Sequence, residues 1–467
     1  MKKNCLAFLG LLLLQTGIHA QLRLPAIIAS DMVLQQKSEA HLWGWSGPAE
    51  KIYVTTSWNN KTDSTIATRD AKWIITIPTP AAGGPYTITI KADKTIQLTN
   101  ILIGEVWVCS GQSNMEMNSG WGLPEVNAEF PNCANTNIRF FQVPKTTAKY
   151  PQDDVKGNWS TCDSNTLRSF SAVGYFFGKK LNSQLKIPVG LISDNWGGTS
   201  SEVWTPEEAV GNNPQLKYGA GKISPADWWP YTVGACYNGM IAPLTSFTIA
   251  GVIWYQGEGN TEISSNYANI FTTMIDGWRR AWDKDLPFYY VQIAPFNYGN
   301  PNSAAVLREQ QTNVLAHHNV GMVITTDLVD TVTDIHPKQK KAVGNRLANY
   351  ALAETYNQPG EVYQSPLYKK MEIVKDKINI YFDHAPNGII IKGDTAKEIL
   401  IAGADKKFVP ATIRIEKDYI TVSAKSVTNP VAVRFGFSNA GIGNLFSKEG
   451  LPVIPFRTDD WVAEGVE

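Results

Sequence analysis

The chain has only six histidines and five cysteines in 467 residues, so metal-binding and nucleophilic chemistry have few places to sit. No C-x-x-C pair and no H-E-x-x-H segment occurs, which removes the usual spacings of a zinc cluster or a zinc peptidase. A P-loop and a G-x-G-x-x-G turn are missing too, and with them the common phosphate and dinucleotide cradles. Excess charge is also lacking: Lys plus Arg and Asp plus Glu each number 42. A balanced chain has no whole-protein field to attract nucleic acid or an anionic membrane. Beyond residue 20, no apolar run approaches the ~20 residues of a membrane-crossing helix, so no membrane span is expected.

What is present begins with a leader. Lys2 and Lys3 precede an apolar run over 6–14, and Ala20 offers a small residue at a cleavage point. This is the pattern of a secretory signal peptide over 1–20, and it predicts a secreted or periplasmic protein. Removing the leader takes Cys5 with it and leaves Cys109, Cys133, Cys162 and Cys236. An even count in an exported protein permits two disulfides, with Cys133 and Cys162 a plausible pair.

Three textures follow. Over 21–100, short period-two runs at 40–45, 51–56, 72–77 and 85–91 predict a small β-sandwich-like domain. Over 101–355, apolar runs at 105–109, 188–193, 250–255, 288–293 and 320–325 alternate with helical stretches at 173–185, 267–282, 304–317 and 338–353. Repeated strand–helix units predict an α/β domain, a mainly parallel sheet with helices on both faces. Over 356–467, β-like runs return at 378–382, 388–392, 412–415, 419–423 and 431–437, predicting a C-terminal β-rich domain.

In open α/β sheets, ligands bind beyond the carboxyl ends of the strands. The segments that follow the apolar runs there are Ser110-Gly111-Gln112-Ser113-Asn114-Met115, Asn195-Trp196-Gly197-Gly198-Thr199, Gln256-Gly257-Glu258-Gly259-Asn260 and Asp334-Ile335-His336-Pro337. Together they supply the parts of acyl transfer. Ser113 lies on a glycine-containing turn that exposes a hydroxyl. His336 can take its proton, and Asp334 can orient the imidazole. The backbone N–H groups of Ser113 and Gly198, with a side-chain amide from Gln256 or Asn260, can meet a developing oxyanion. Taken singly, each segment reads as a turn, a loop or, for Asp334-x-His336-Pro337, a helix start. Their joint placement is what points to a site. No G-x-S-x-G elbow is present.

At these residues the sequence resembles a known family. The stretch from Gly104-Glu105-Val106-Trp107 through Gly111-Gln112-Ser113-Asn114-Met115-Glu116 resembles the first block of sialate O-acetylesterases, which are SGNH-type hydrolases related to plant and bacterial carbohydrate acetylesterases. Asn195-Trp196-Gly197-Gly198-Thr199 with Glu202-Val203-Trp204, then Trp254-Tyr255-Gln256-Gly257-Glu258, then Asp334-Ile335-His336-Pro337 resemble its later blocks. The segments from Tyr237 to Leu244 and from Phe456 to Trp461 are similar to the family as well. One departure is Gly259, where many relatives carry Ser.

The resemblance implies an SGNH-hydrolase-like fold, with Ser113 as nucleophile, His336 as base and Asp334 as its partner. It also implies an oxyanion hole from Ser113, Gly198 and one amide, Gln256 being favoured because it directly follows its strand. Neither metal nor organic cofactor is required. Trp121, Trp196 and Glu258 are candidate substrate contacts. Arg308, Glu309 and Gln310 resemble a family block too and read by default as a solvated helix face or as support. The expected activity is O-acetyl ester hydrolysis on carbohydrate, with sialate ahead of acetylxylan. The competing class is a carbohydrate-binding protein with a silent hydrolase core.

Overall fold

The computed structural model describes residues 21–465. The expected leader over 1–20 lies outside the described residues. The organising element is a 17-residue strand, Thr95–Gly111. Its first half pairs antiparallel with Gly83–Lys91 of the N-terminal β region. Its second half pairs in parallel with Val189–Asn195 on one side and Gly251–Tyr255 on the other. The expected boundary after residue 100 therefore falls inside one continuous strand.

Outward from this strand, the parallel sheet continues through Gly251–Tyr255, Phe288–Val291 and Val320–Val323 on one flank. On the other flank it runs through Val189–Asn195 to Asn135–Gln142, with Trp159–Cys162 added antiparallel at the edge. The apolar runs expected to build a parallel sheet all lie in it. Asn135–Gln142 is an addition, its polar start Asn135-Thr136-Asn137 hiding it from a search for apolar runs.

Burial explains why these strands read as continuous apolar runs rather than alternating ones. Val106 and Val108 enter one core while Trp107 and Cys109 enter the other. Val252 and Trp254 oppose Ile253 and Tyr255 in the same manner, as do Phe288 and Tyr290 against Tyr289 and Val291. Each face is covered by helices. Ala172–Leu185 and Lys340–Glu354 bring Phe176, Phe177, Leu347 and Ala351 to one face. Tyr267–Trp282 and Ser303–Asn313 bring Phe271, Met274, Trp278 and Leu307 to the other. The core that holds Val106 and Val108 runs without a break into the N-terminal β region through Val33, Leu42, Ile75 and Ile101.

The C-terminal β region has its own core around Ile380, Ile401, Val433 and Phe435. It is fastened to the helix Ser303–Asn313. The buried Arg308 guanidinium donates to the backbone carbonyls of Ser438 and Asn439. Glu309 receives a two-pronged ion pair from Arg457, at 2.6 and 2.8 Å. Arg308 and Glu309, read by default as surface or support, are thus the fastening between two parts of the chain. Bidentate Arg–carboxylate pairs suit that task because their planar geometry fixes orientation as well as distance.

The disulfides that the composition permits are not formed: Cys109, Cys133, Cys162 and Cys236 are buried free thiols. Cys133 and Cys162 do lie side by side, with the Cys162 thiol donating to the Cys133 carbonyl at 3.2 Å.

The strand end carries a strict requirement. Gly111 has φ +135°, and a Cβ there would stand 2.2 Å from the Tyr255 carbonyl oxygen. Gly111→Ala is therefore expected to cost at least about 1–3 kcal/mol from backbone strain alone. Urea unfolding of the variant beside the parent measures this.

Candidate active site

Gly111 lets the backbone turn sharply into a four-residue helix, Ser113–Glu116. Ser113 is the first residue of that turn, where backbone N–H groups have no partner within the helix. On the far side of the site, the Val320–Val323 strand is followed by a loop that carries Asp334 and His336 before Lys340–Glu354 begins. The two segments meet with His336 Nε2 2.9 Å from Ser113 Oγ. The expected nucleophile and base are thus within proton-transfer reach although 223 residues separate them in sequence.

Asp334 takes a different position from the one expected. Its Oδ1 accepts the His336 backbone N–H at 2.9 Å and stands 3.6 Å from the ring Nδ1. The carboxylate thus shapes the loop first and reaches the imidazole as a nearby charge rather than through a short hydrogen bond. The net shift of His336 is downward from 6.5, since burial and the Lys340 ammonium outweigh Asp334.

The Gly197–Gly198 turn packs directly on Ser113. A Cβ at Gly197 would stand 3.2 Å from Ser113 Cβ. Glu116, three residues after Ser113, accepts the Gly197 N–H at 2.7 Å and is itself held by Lys145 Nζ at 2.7 Å. Gly198 has φ +81°, and its Cβ position is filled by the Trp229 ring, 2.3 Å away. Glycine is required there on both counts. Among the described residues, neither the Ser113 nor the Gly198 backbone N–H has a protein acceptor.

The amide donors expected from sequence do not reach this spot. Gln256 is fully buried, with both of its amide protons committed, to the Thr199 carbonyl at 3.1 Å and to Asn260 Oδ1 at 2.8 Å. Asn260 is equally buried and donates to Glu202 Oε2 at 2.9 Å. Its carbonyl oxygen accepts Ser201 N–H. Both amides prop the Thr199–Ser201 turn from inside. An amide whose donors are already committed to buried acceptors cannot swing out without leaving those acceptors unsatisfied.

Of the candidate substrate contacts, Trp121 stands over His336 with ring centroids 5.2 Å apart, edge to face, and 41 % exposed. Trp196 is half-buried and directs its Nε1 to the Trp228 carbonyl. Glu258 borders the cavity described next but is otherwise enclosed. It is buried, and its Oε1 accepts Asn114 Nδ2 at 2.6 Å. A cavity of about 210 Å³ opens beside Gly198 and Gly259, with Trp229, Ser200, Ser224 and Glu262 in its wall. Trp229 was visible in the sequence only as one of two adjacent tryptophans in a loop. The roles of Glu116 and Lys340 had no sequence signal, since each depends on a contact across the fold.

This arrangement defines the class: an α/β ester hydrolase with a serine and a histidine at the carboxyl edge of its sheet. Residues 103–353, over half of the chain, match the family described as carbohydrate esterase, sialic acid-specific acetylesterase, and the chain belongs to that family. It is similar to the sialate O-acetylesterase of Rattus norvegicus, 29 % identical over 79 % of this chain and 80 % of the relative. It is likewise similar to that of Pongo abelii, 28 % identical over 87 % of this chain and 84 % of the relative. Among solved structures it resembles a carbohydrate acetylesterase from Xanthomonas citri, with TM-score 0.86 and 34 % identity. That match covers 94 % of this chain and all of the other. The fold expectation, an SGNH-like sheet with flanking β-rich regions, agrees with this likeness.

Glu116→Ala releases the Gly197 N–H from its anchor while leaving both backbone donors in place. A fall in kcat is expected, short of the about 10²–10³-fold that deletion of an oxyanion donor brings. Steady-state kinetics on a soluble acetyl ester checks it.

Proposed function

We propose that the chain is an exported carbohydrate O-acetylesterase that works through a serine acyl-enzyme. The observation that carries the mechanism is the 2.9 Å contact between His336 Nε2 and Ser113 Oγ. His336 takes the hydroxyl proton as Ser113 Oγ bonds to the acetyl carbonyl carbon. The negative charge that develops on the carbonyl oxygen faces the uncommitted N–H groups of Ser113 and Gly198. Collapse of this intermediate breaks the ester C–O bond, and the sugar alcohol leaves with the proton from His336. A water activated by His336 then releases acetate and restores Ser113. Asp334 favours the imidazolium electrostatically at 3.6 Å and fixes the loop that carries it.

The intact serine–histidine pair favours an enzyme over a silent carbohydrate-binding protein. The curated relatives that carry the name sialate O-acetylesterase favour sialate over acetylxylan. Trp121 beside His336 and Trp229 in the wall of the cavity supply aromatic faces for a sugar ring. Release of acetate from O-acetylated sialic acid, measured beside O-acetylated xylan, decides the substrate. Faster turnover of xylan would reverse the assignment. Export rests on the leader pattern. Secreted protein should begin after Ala20, and N-terminal sequencing that still finds Met1 would overturn it.

Ser113→Ala is expected to lower kcat by about 10⁴-fold or more with the fold intact. Near-parental turnover, or a fluorophosphonate label on another residue, removes the assignment. The acidic limb of the pH–kcat/KM profile is set by His336, since only neutral imidazole accepts the proton. With its pKa below 6.5, activity should persist into mildly acidic solution and fall only as pH drops through that lowered value. Asp334→Asn removes a charge that favours imidazolium and should move the limb lower still. Its cost in turnover should stay well under the about 10⁴-fold seen where a triad carboxylate holds the ring by a short hydrogen bond. An unmoved limb would limit Asp334 to shaping the loop.

A further inference from the structure

The carboxamide of Asn114 sits between three groups from three separate segments. Its Oδ1 accepts Lys340 Nζ at 2.6 Å, and its Nδ2 donates to Glu258 Oε1 at 2.6 Å and to the Ile335 carbonyl at 3.2 Å. Asn114 directly follows the proposed nucleophile. Ile335 directly precedes the proposed base. Lys340 opens the helix behind the base, and Glu258 follows the Gly251–Tyr255 strand. Asn114 and Lys340 are essentially inaccessible, and Glu258 is nearly so.

We propose that Lys340, acting through Asn114 with Glu258 as counter-charge, is the positioning residue that holds the His336 loop in register with Ser113. The proposal rests on the serine-esterase reading above.

The polarity of the chain supports this role. An amide carbonyl faces the ammonium and an amide N–H faces the carboxylate, so the Asn114 dipole is aligned between opposite charges. A reversed amide would set donor against donor and acceptor against acceptor. One orientation is therefore enforced, and in it the remaining Nδ2 proton points to the Ile335 carbonyl. Burial makes the enforcement strong, because a broken link would leave a charged or polar group unsatisfied in a dry interior. Burying a lysine here has a cost. Its pKa falls to about 7, with Glu258, Asp334 and Asp330 resisting the fall. The Tyr255 ring, 5.1 Å from Nζ, adds a cation–π contact. A purely structural core position would be served at least as well by an apolar side chain.

The charge also acts on the base. The groups that face His336 are Asp334 on its own loop, Lys340 on the following helix, Ser113 across the site and the uncharged Trp121 ring. Lys340 holds the imidazole pKa down and Asp334 holds it up. In the acidic range where His336 titrates, Lys340 is protonated, so its removal should raise the imidazole pKa.

The experiment compares Lys340→Met, Asn114→Ala and the double variant with the parent on a soluble acetyl ester, with Ser113→Ala as the reference for the reading itself. Lys340→Met should lower kcat by at least about tenfold, toward the about 100-fold that a 1 Å misplacement can cause. KM should change little, and the acidic limb should move to higher pH. Asn114→Ala should lower kcat similarly with its limb near the parental position. The double variant should be no worse than the poorer single, because both interrupt the same chain. Parental kcat with an unmoved limb in Lys340→Met overturns the proposal, as does a double variant whose loss is the product of the two single losses. Should Lys340→Met fail to fold, Glu258→Gln carries the test. It keeps the side-chain shape, should lower kcat severalfold, and overturns the proposal if kcat is unchanged. If Ser113→Ala keeps parental activity, the serine-esterase reading fails instead, whatever the Lys340 variants do.

Discussion

The close approach of Gly111 to the Tyr255 carbonyl sets the geometry on which the site depends. The central strand, held in parallel register by neighbours on both sides, must end abruptly for a hydroxyl to emerge at the sheet edge. Gly111 permits this because at its φ of +135° a Cβ would stand 2.2 Å from that carbonyl, which excludes any side chain. Ser113 follows within one turn. Every other group at the site is placed with reference to it: the Gly197–Gly198 turn through Glu116, the His336 loop through Asn114, and the buried amides through the Thr199–Ser201 segment.

Buried polar groups do much of this placing. Gln112 Oε1 accepts from the backbone of Gly257 and Gly259. Gln256 and Asn260 brace the segment after Gly198, and Glu116 fixes Gly197. Matching them matters because an unmatched buried polar group costs its full desolvation. The same economy explains why the backbone N–H groups of Ser113 and Gly198 stand out. They are donors left without a protein acceptor beside the Ser113 hydroxyl. Rigid, pre-aimed dipoles of this kind stabilise transition-state charge without reorganising during the reaction.

The two β-rich flanks differ in their attachment. The N-terminal one shares both a strand and a core with the catalytic sheet, so it cannot be lifted away without tearing Thr95–Gly111. The C-terminal one keeps a separate core and docks on one helix, where Arg308 holds its backbone carbonyls and Glu309 takes its Arg457. Rigidity near the site thus comes from the first flank by continuity and from the second by contact.

The sequence by itself determined the strand and helix alternation, because strands buried on both faces must be apolar throughout and amphipathic helices must cover them. It also determined which loops end at the carboxyl edge, and so brought Ser113, Gly198 and His336 into one expectation. What it left open were matters of side-chain direction. Gln256 directly follows its strand, which favoured it as a donor, yet its amide faces inward to Thr199 and Asn260. Asp334 lies two residues before His336, but the tight loop turns its carboxylate to the backbone N–H before the ring. Lys340 looked like an ordinary residue near a helix start, and only the fold shows it buried against Asn114. Each of these depends on partners from another segment of the fold, 57 residues away for Gln256 and 226 for Lys340, or on loop torsions that spacing does not encode, so tertiary packing alone decided them.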